Sequence, residues 1–209
     1  MLTQLGLSGL ILFLVMLIIS LTFHEAMHAF MSHWLGDPTA KDLGRLTLNP
    51  IKHVDPFTTI VLPLVLLTLG LPPFLIAKPV PFNPFRVKYG EYGAALVGLA
   101  GPTSNLLLAV VGVSIIKLLG LAIGSTAYFY FGLFVQLNIA VFVFNMIPFP
   151  PLDGSRVLYA FAPDTLRKLM EKIESFGMMG IIAFMFILFP LLIPVVTYLN
   201  NFFFQILLG

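Results

Sequence analysis

Long apolar stretches separated by short polar segments are the dominant pattern along this chain. No charged residue occurs between Met1 and Phe23, and further apolar stretches cover residues 93–119, 127–147 and 176–209. A helix that crosses a bilayer needs about 20 mostly apolar residues, and each stretch is at least that long. The pattern predicts an all-α polytopic membrane protein with about four transmembrane helices.

The first predicted helix covers residues 5–34. It ends at Leu35-Gly36-Asp37-Pro38, where glycine can cap the helix and proline prevents its continuation. In the polar segment that follows, residues 44–49 alternate between polar and apolar side chains, which predicts a short strand. Residues 78–92 carry three prolines, and we expect an extended segment there that pairs with this strand. Together they would form a small β element.

Residues 57–77 carry no charge, but Pro63, Gly70, Pro72 and Pro73 interrupt them. The length would allow a span, although so many breakers disfavour a continuous helix. A re-entrant membrane hairpin accommodates them better, because neighbouring protein can satisfy the backbone groups that the breakers leave open. We therefore expect a re-entrant hairpin here.

The last two apolar stretches are also interrupted. Residues 145–154 read N-M-I-P-F-P-P-L-D-G, and three prolines within four positions exclude regular helix, so the third helix is predicted to break there. Residues 155–175 are charged and should form an amphipathic surface helix. Residues 176–209 predict one spanning helix to about Tyr198, kinked near Pro190 or Pro194 and followed by an interfacial tail.

Composition supports a membrane protein and excludes several other classes. Hydrophobic residues make up 59% of the 209 residues, charged residues 10%, and the mean hydropathy of +1.02 lies outside the soluble range. The net charge of +2 is too small to indicate nucleic-acid binding. The chain has no cysteine, which excludes disulfides and thiolate metal ligands. The first stretch lacks a basic leader, so we interpret it as a retained helix.

Basic residues are distributed unevenly between the polar segments. Ten of the 11 lysines and arginines fall within residues 37–92 and 155–175, and only Lys117 lies elsewhere. By the positive-inside rule, both segments face the cytoplasm, with the amino terminus outside. The β element and the metal motif described next should therefore lie near the cytoplasmic side of a membrane, which we take to be a prokaryotic inner membrane.

An H-E-x-x-H motif, His24-Glu25-Ala26-Met27-His28, lies in the cytoplasmic half of the first predicted helix. Four residues advance an α-helix by about 400°, so the two imidazoles share one face and suit a single zinc ion. Glu25 follows the first histidine and can reach a metal-activated water as a general base. Ionisable groups inside a bilayer are costly without partners, which favours function over chance.

A catalytic zinc site needs a third protein ligand. Asp153 is the best candidate, because it lies at the broken end of the third helix at the same predicted depth as the histidines. His53 is expected to make a loop contact, and His33 to lie at the interface. Asn145 is favoured for a functional role. For Asn105, a helix–helix hydrogen bond and a catalytic role both remain open.

Three motifs occur in order along the chain: H-E-x-x-H at 24–28, G-P-x-x-N at 101–105, and N-x-x-P-x-P-P-L-D-G at 145–154. Together with L-N-P-I-K-H-V-D-P at 48–56, this combination resembles the site-2 proteases, a family of zinc-dependent intramembrane metalloproteases. The resemblance covers residues 21–156. It implies cleavage of peptide bonds within or next to transmembrane segments of a membrane-protein substrate in the lipid bilayer.

The resemblance also implies residue roles. His24, His28 and Asp153 would hold one zinc ion per chain, Glu25 would activate water, and Asn145 or Asn105 would orient substrate or stabilise the oxyanion. Family members also offer an edge strand that receives an unwound substrate by β-addition, for which residues 44–49 or 80–87 are the candidates. The oligomeric state is left open.

Residues 1–209 are therefore predicted to form a single membrane-embedded metalloprotease domain, with a core at 5–156 and a C-terminal helix and tail at 176–209. Only a few residues join the second and third predicted helices, so we expect a small family form without PDZ or CBS domains. Two alternative functions remain: a membrane metal-binding transporter, and a catalytically silent family member that acts as a scaffold.

Overall fold

Helices provide all the regular structure of residues 6–53 and 80–209, the part of the chain that the computed structural model describes. Four of these helices are long and apolar enough to cross a membrane, as predicted, which fits an integral membrane protein. The chain divides into two compact units, residues 1–88 and 89–209. The hairpin predicted at residues 57–77 lies outside the described residues.

Helix α1 (Gly6–Trp34) belongs to the first unit and confirms the first predicted helix. Its exposed side chains include large apolar residues, whereas its fully buried side chains are small, among them Ser20, Ala29 and Ser32. This distribution is typical of a helix whose outer face contacts lipid and whose inner face packs closely against protein. The helix ends at Trp34, and Gly36 in the turn that follows adopts a φ of 105°, a value that favours glycine.

The strand predicted at residues 44–49 does not form. The short helix α2 (Thr39–Asp42) precedes it, and Gly44 with a φ of 66° turns the chain so that the Arg45 amide donates back to the Ala40 carbonyl. Asn49 then caps a 3₁₀ turn, Pro50–Lys52, by accepting a hydrogen bond from the Ile51 amide. Local turn bonds therefore replace strand pairing, and the alternation of side chains misled the prediction.

Residues 80–87 do not form a strand either. The amides of Val80 and Asn83 donate to the carboxylates of Glu25 and Asp37, so they are not available to a neighbouring strand. Pro81 has no amide hydrogen to contribute. The extended segment predicted at 78–92 is wrong over residues 84–92, where turns lead into a helix that begins at Gly90, and the described residues contain no β element.

The second unit is built on helices α3 (Gly90–Leu118) and α4 (Thr126–Asn145). They pack through a buried apolar cluster, and a Cβ at Gly112 would lie only 2.8 Å from Val135 Cγ2, so the helices approach closely there. The loop between them is short, and Ser125 caps α4 by accepting from the Tyr128 amide. The cluster comprises Ala109, Val113, Ile116, Val135, Ile139 and Val143.

Beyond the broken end of α4, the predicted amphipathic helix at 155–175 is in fact two helices, α5 (Gly154–Phe161) and α6 (Asp164–Ser175). Pro163 separates them, because a residue before proline favours extended backbone, and Ala162 has a ψ of 140°. The Tyr159 hydroxyl donates to Glu171 across the break, and this hydrogen bond raises the pKa of Tyr159 to about 12.

The last apolar stretch forms α7 (Met178–Ala183), a π-helical segment (Phe184–Leu188) and α8 (Phe189–Leu208). The wide π turn lies at the predicted irregularity, where Pro190 cannot donate to the preceding turn. The predicted helix end at Tyr198 is wrong. Helix α8 continues because its last turns pack on α4, with the Phe203 and Phe142 ring centroids 5.2 Å apart.

Candidate metal centre

His24 and His28 lie one turn apart on α1 and face each other through the same ring atom. Their Nε2 atoms are 3.1 Å apart, and their rings meet edge to face with centroids 4.7 Å apart. Two imidazole ligands of one tetrahedral zinc, each with a bond of about 2.0–2.1 Å, place their nitrogens about 3.3 Å apart. The pair therefore fits two ligands of one metal ion without rearrangement.

The whole H-E-x-x-H motif is buried. The exposed fractions are 5% for His24, 8% for Glu25 and 8% for His28. Burial of three ionisable groups in a helix long enough to span a membrane is costly unless they bind a metal ion, an opposite charge or a hydrogen-bond partner. The burial therefore supports the metal-binding role that the sequence predicts for His24 and His28.

Glu25 is oriented by a backbone group that the sequence did not reveal. Its Oε2 accepts a hydrogen bond from the Val80 amide at 2.9 Å. This contact joins two positions 55 residues apart along the chain. One carboxylate oxygen is thereby hydrogen-bonded to the backbone, which limits how the carboxylate can turn.

Asp153 immediately precedes α5 in a tightly packed turn. A Cβ at Gly154 would lie 2.4 Å from the Met146 carbonyl oxygen, so only glycine fits at that position. A Cβ at Gly98 on α3 would lie 3.0 Å from the Asp153 carbonyl oxygen. Backbone therefore packs directly against backbone on both sides of Asp153, and its main chain has little room to shift.

The three predicted ligands carry the donor groups that zinc binds. His24 and His28 lie on α1 in the first unit, and Asp153 immediately precedes α5 in the second unit. Two imidazoles and one carboxylate are also a donor set that catalytic zinc sites use, with a position left for water. The residues present thus fit the zinc ion that the sequence predicts.

Asn105 makes a contact between helices. Its Nδ2 donates to Asn138 Oδ1 at 3.0 Å, and Asn138 Nδ2 donates to the Phe134 carbonyl at 2.9 Å. Both asparagines are fully buried. The hydrogen bond between α3 and α4 is the structural alternative that the sequence left open for Asn105, and Asn138 is the partner that sequence reasoning missed.

The remaining predicted residues lie near helix ends. Asn145 is the last residue of α4, and its Nδ2 donates to the Val141 carbonyl at 3.0 Å. His53 is buried, with Nε2 2.8 Å from the Thr47 carbonyl oxygen, which is the loop contact predicted for it. His33 is half-buried in the last turn of α1.

Comparison with known proteins decides the family. The model of peptidase family M50 matches residues 112–188. YwhC of Bacillus subtilis, a candidate zinc metalloprotease by its name, is 42% identical over 170 residues, which cover 78% of this chain and 74% of that protein. The chain belongs to peptidase family M50, the site-2 protease family.

Two mycobacterial proteins, both called Rip2 and also candidate zinc metalloproteases by name, resemble this M50 chain as well. Rip2 of Mycolicibacterium smegmatis is 29% identical over 198 residues, covering 90% of the M50 chain and 68% of the relative. Rip2 of Mycobacterium tuberculosis is 31% identical over 156 residues, covering 73% and 58% respectively. No solved structure matches the chain.

Asp37 is a buried carboxylate of this M50 chain. The sequence pattern around it indicates only a helix end. Burial raises its pKa, but hydrogen bonds from the Thr39 hydroxyl and from the Asn83 and Thr39 amides, together with the charge of Arg86, outweigh burial and hold the pKa below its usual value. Its position after glycine and before proline gave no signal of this anchoring role.

Proposed function

We propose that this protein is an intramembrane zinc endopeptidase that hydrolyses peptide bonds within or next to transmembrane segments of membrane proteins. The observation that carries the proposal is the geometry of the H-E-x-x-H turn. Two buried imidazoles present their Nε2 atoms 3.1 Å apart within a helix long enough to span a bilayer. Membership of peptidase family M50 and the names of its relatives agree with this chemistry.

We assign His24, His28 and Asp153 as the zinc ligands. A zinc ion bound there would polarise the scissile carbonyl and make water more acidic. The two neutral imidazoles and the single carboxylate leave that polarising charge only partly neutralised. The absence of cysteine leaves histidine and carboxylate as the side chains able to fill these positions.

Glu25 is the proposed general base. Because the Val80 amide occupies Oε2, Oε1 is the oxygen that accepts the proton from the attacking water. The same oxygen then delivers the proton to the nitrogen of the departing amine. The carboxylate is therefore regenerated at the end of each cycle, and no covalent bond to the protein forms.

The substrate must unwind before it can react, because a peptide bond inside a transmembrane helix is hydrogen-bonded and dry. The turn between Asn145 and Gly154 is the proposed entry for water and the unwound segment. Its prolines prevent regular helix, and Asn145, placed where α4 ends, is proposed to orient the substrate backbone. The distribution of basic residues indicates that cleavage takes place near the cytoplasmic side.

The decisive substitution is Glu25→Gln, which removes the base but keeps the shape of the side chain. With fluorescein-labelled casein, an unfolded substrate that bypasses helix unwinding, we expect hydrolysis to fall by at least about a hundredfold. Zinc content, measured by mass spectrometry, should remain at about one per chain because Glu25 is not a ligand. Glu91→Gln, the same change in the first turn of α3, is the matched control and should leave the rate unaltered.

Retained hydrolysis in Glu25→Gln would contradict the proposal. If the parent binds zinc but never hydrolyses casein or a single-span test protein, the transporter or scaffold alternative would replace it. Uptake of radioactive zinc into vesicles that contain the protein then separates these two, since only a transporter accumulates the ion.

A further inference from the structure

Residues 80–88 lie alongside the second half of α1 without forming a helix or strand. We call them the α1-bound segment. Three of their backbone amides donate to α1 or to the turn that ends it. Val80 donates to Glu25 Oε2 at 2.9 Å, Asn83 to Asp37 Oδ2 at 2.6 Å, and Lys88 to the Leu35 carbonyl at 2.8 Å. One end of the segment thus contacts the proposed general base, and its middle contacts Asp37.

Asp37 is built as an anchor. It is fully buried, and Oδ1 accepts from both the amide and the hydroxyl of Thr39 while Oδ2 accepts from Asn83. Charge-assisted hydrogen bonds of this kind are about twice as strong as neutral ones. A buried carboxylate that lost these donors would carry a large desolvation cost, so Asp37 and the Asn83 amide hold each other in place.

The backbone of the α1-bound segment has little freedom between Asn83 and Val80. Pro81 and Pro84 restrict φ on either side of the Asn83 anchor and offer no amide donors. The Val80 side chain is buried in a small cluster with Ala29 and Ala40. Val80 and Asn83 are three residues apart, at most about 10 Å of extended chain. Displacement of Asn83 therefore moves the Val80 amide relative to Glu25.

We propose that Asp37 is a positioning residue for Glu25, acting through the α1-bound segment. Asp37 fixes Asn83, the segment places the Val80 amide, and that amide sets the plane of the Glu25 carboxylate. This inference rests on the proposed function, since it assigns Glu25 as the base. Asp37 does not touch the reacting atoms, so its loss alters the alignment of the base and leaves the ligand set unchanged.

The first test is Asp37→Asn in the full-length protein. Asparagine replaces one of the two carboxylate oxygens with an NH2 group, so it cannot accept at both the Oδ1 and the Oδ2 positions, where Thr39 and Asn83 donate. Misalignment of a catalytic group by about 1 Å costs up to about a hundredfold, and we expect kcat for fluorescein-labelled casein to fall by about tenfold or more. KM should stay within about twofold and zinc should stay bound. Asp42→Asn, the same change at an exposed site on α2, should leave kcat unaltered.

The second test removes the contact to Glu25 directly. Val80→Pro deletes the amide hydrogen, whereas Val80→Ala deletes most of the side chain and keeps that hydrogen. We expect kcat of the proline variant to be at least about tenfold below that of the alanine variant. Equal kcat values in the two variants would show that packing, rather than the amide, explains the effect and would overturn the proposal.

Hydrogen–deuterium exchange tests the anchor without using activity. In Asp37→Asn the amides of Val80 and Asn83 should exchange at least about tenfold faster, while the amides of the α1 turn at residues 24–28 stay protected. Unaltered exchange would overturn the proposal, as would faster exchange accompanied by a normal kcat. A parent protein without chelator-sensitive hydrolysis would instead contradict the proposed function, and exchange alone would then decide whether Asp37 anchors the segment.

Discussion

At the scale of single residues, each carboxylate of this site has its own task because its hydrogen-bond partners differ. Glu25 has one oxygen held by a backbone amide, and its other oxygen is the proposed proton acceptor. Asp37 has both oxygens bound to donors and lies beyond the end of α1. Asp153 is fixed through its main chain, and its carboxylate is the proposed third ligand. The sequence motif identifies Glu25, whereas only the partners identify Asp37.

Asp37 predicts a pH dependence of local stability. Its folded-state pKa lies below the ordinary value of 3.8, so its contribution is fully present above that value and is lost as the pH falls through the lower folded-state pKa. Exchange of the amides in the α1-bound segment should therefore accelerate below about pH 4 in the parent. In Asp37→Asn, exchange should be fast and independent of pH over that range after correction for intrinsic rates. Identical pH profiles in the two proteins would contradict this assignment.

At the scale of elements, glycines let neighbouring elements approach the backbone of Asp153. Gly98 places α3 so close to the following turn that a Cβ would lie 3.0 Å from the Asp153 carbonyl and 2.9 Å from Arg156 Cβ. The turn that contains Asp153 cannot move away from α3 easily, because Gly154 packs directly against the Met146 carbonyl. The position of Asp153, the proposed third ligand, therefore depends on Gly98, a residue of α3 that has no ligand role.

Gly98→Ala should accordingly weaken metal binding. The added methyl group pushes the turn away from α3, and displacement of a ligand's support typically costs about 10- to 100-fold in metal affinity. The measurement is competition for zinc with a chelator of known affinity. Gly132→Ala on α4 is the matched control, since a Cβ there meets nothing within 4 Å. Equal affinities in the two variants would show that the turn tolerates displacement.

At the scale of the whole molecule, the sequence predicts what depends on local chemistry and misses what depends on partners distant along the chain. The four long helices follow from apolar length, and the histidine pair follows from the period of the helix. The predicted strand at residues 44–49 was wrong because the turn at Gly44 and the cap at Asn49, which accepts from the Ile51 amide, determine the path of that loop. The predicted end of the last helix at Tyr198 was wrong because the packing of α8 on α4 cannot be inferred from the residues of α8 alone.

The same distinction applies to the candidate site. His24, Glu25, His28 and Asp153 belong to motifs whose spacing carries the chemistry. The Val80 amide is invisible in sequence because any residue except proline supplies it, and Asn138 gave only the weak signal of an amide inside an apolar helix. Positioning groups of this kind are therefore found from structure rather than from motifs.

The metal content of the purified protein tests the central claim most directly. Mass spectrometry should find about one zinc per chain in the parent and in Glu25→Gln, and far less in Asp153→Ala, since two imidazoles alone bind zinc weakly. Asp164→Ala, at the start of α6, is the matched control and should retain the metal. Full zinc in Asp153→Ala, or no zinc in the parent, would contradict the assignment of His24, His28 and Asp153 as one metal centre.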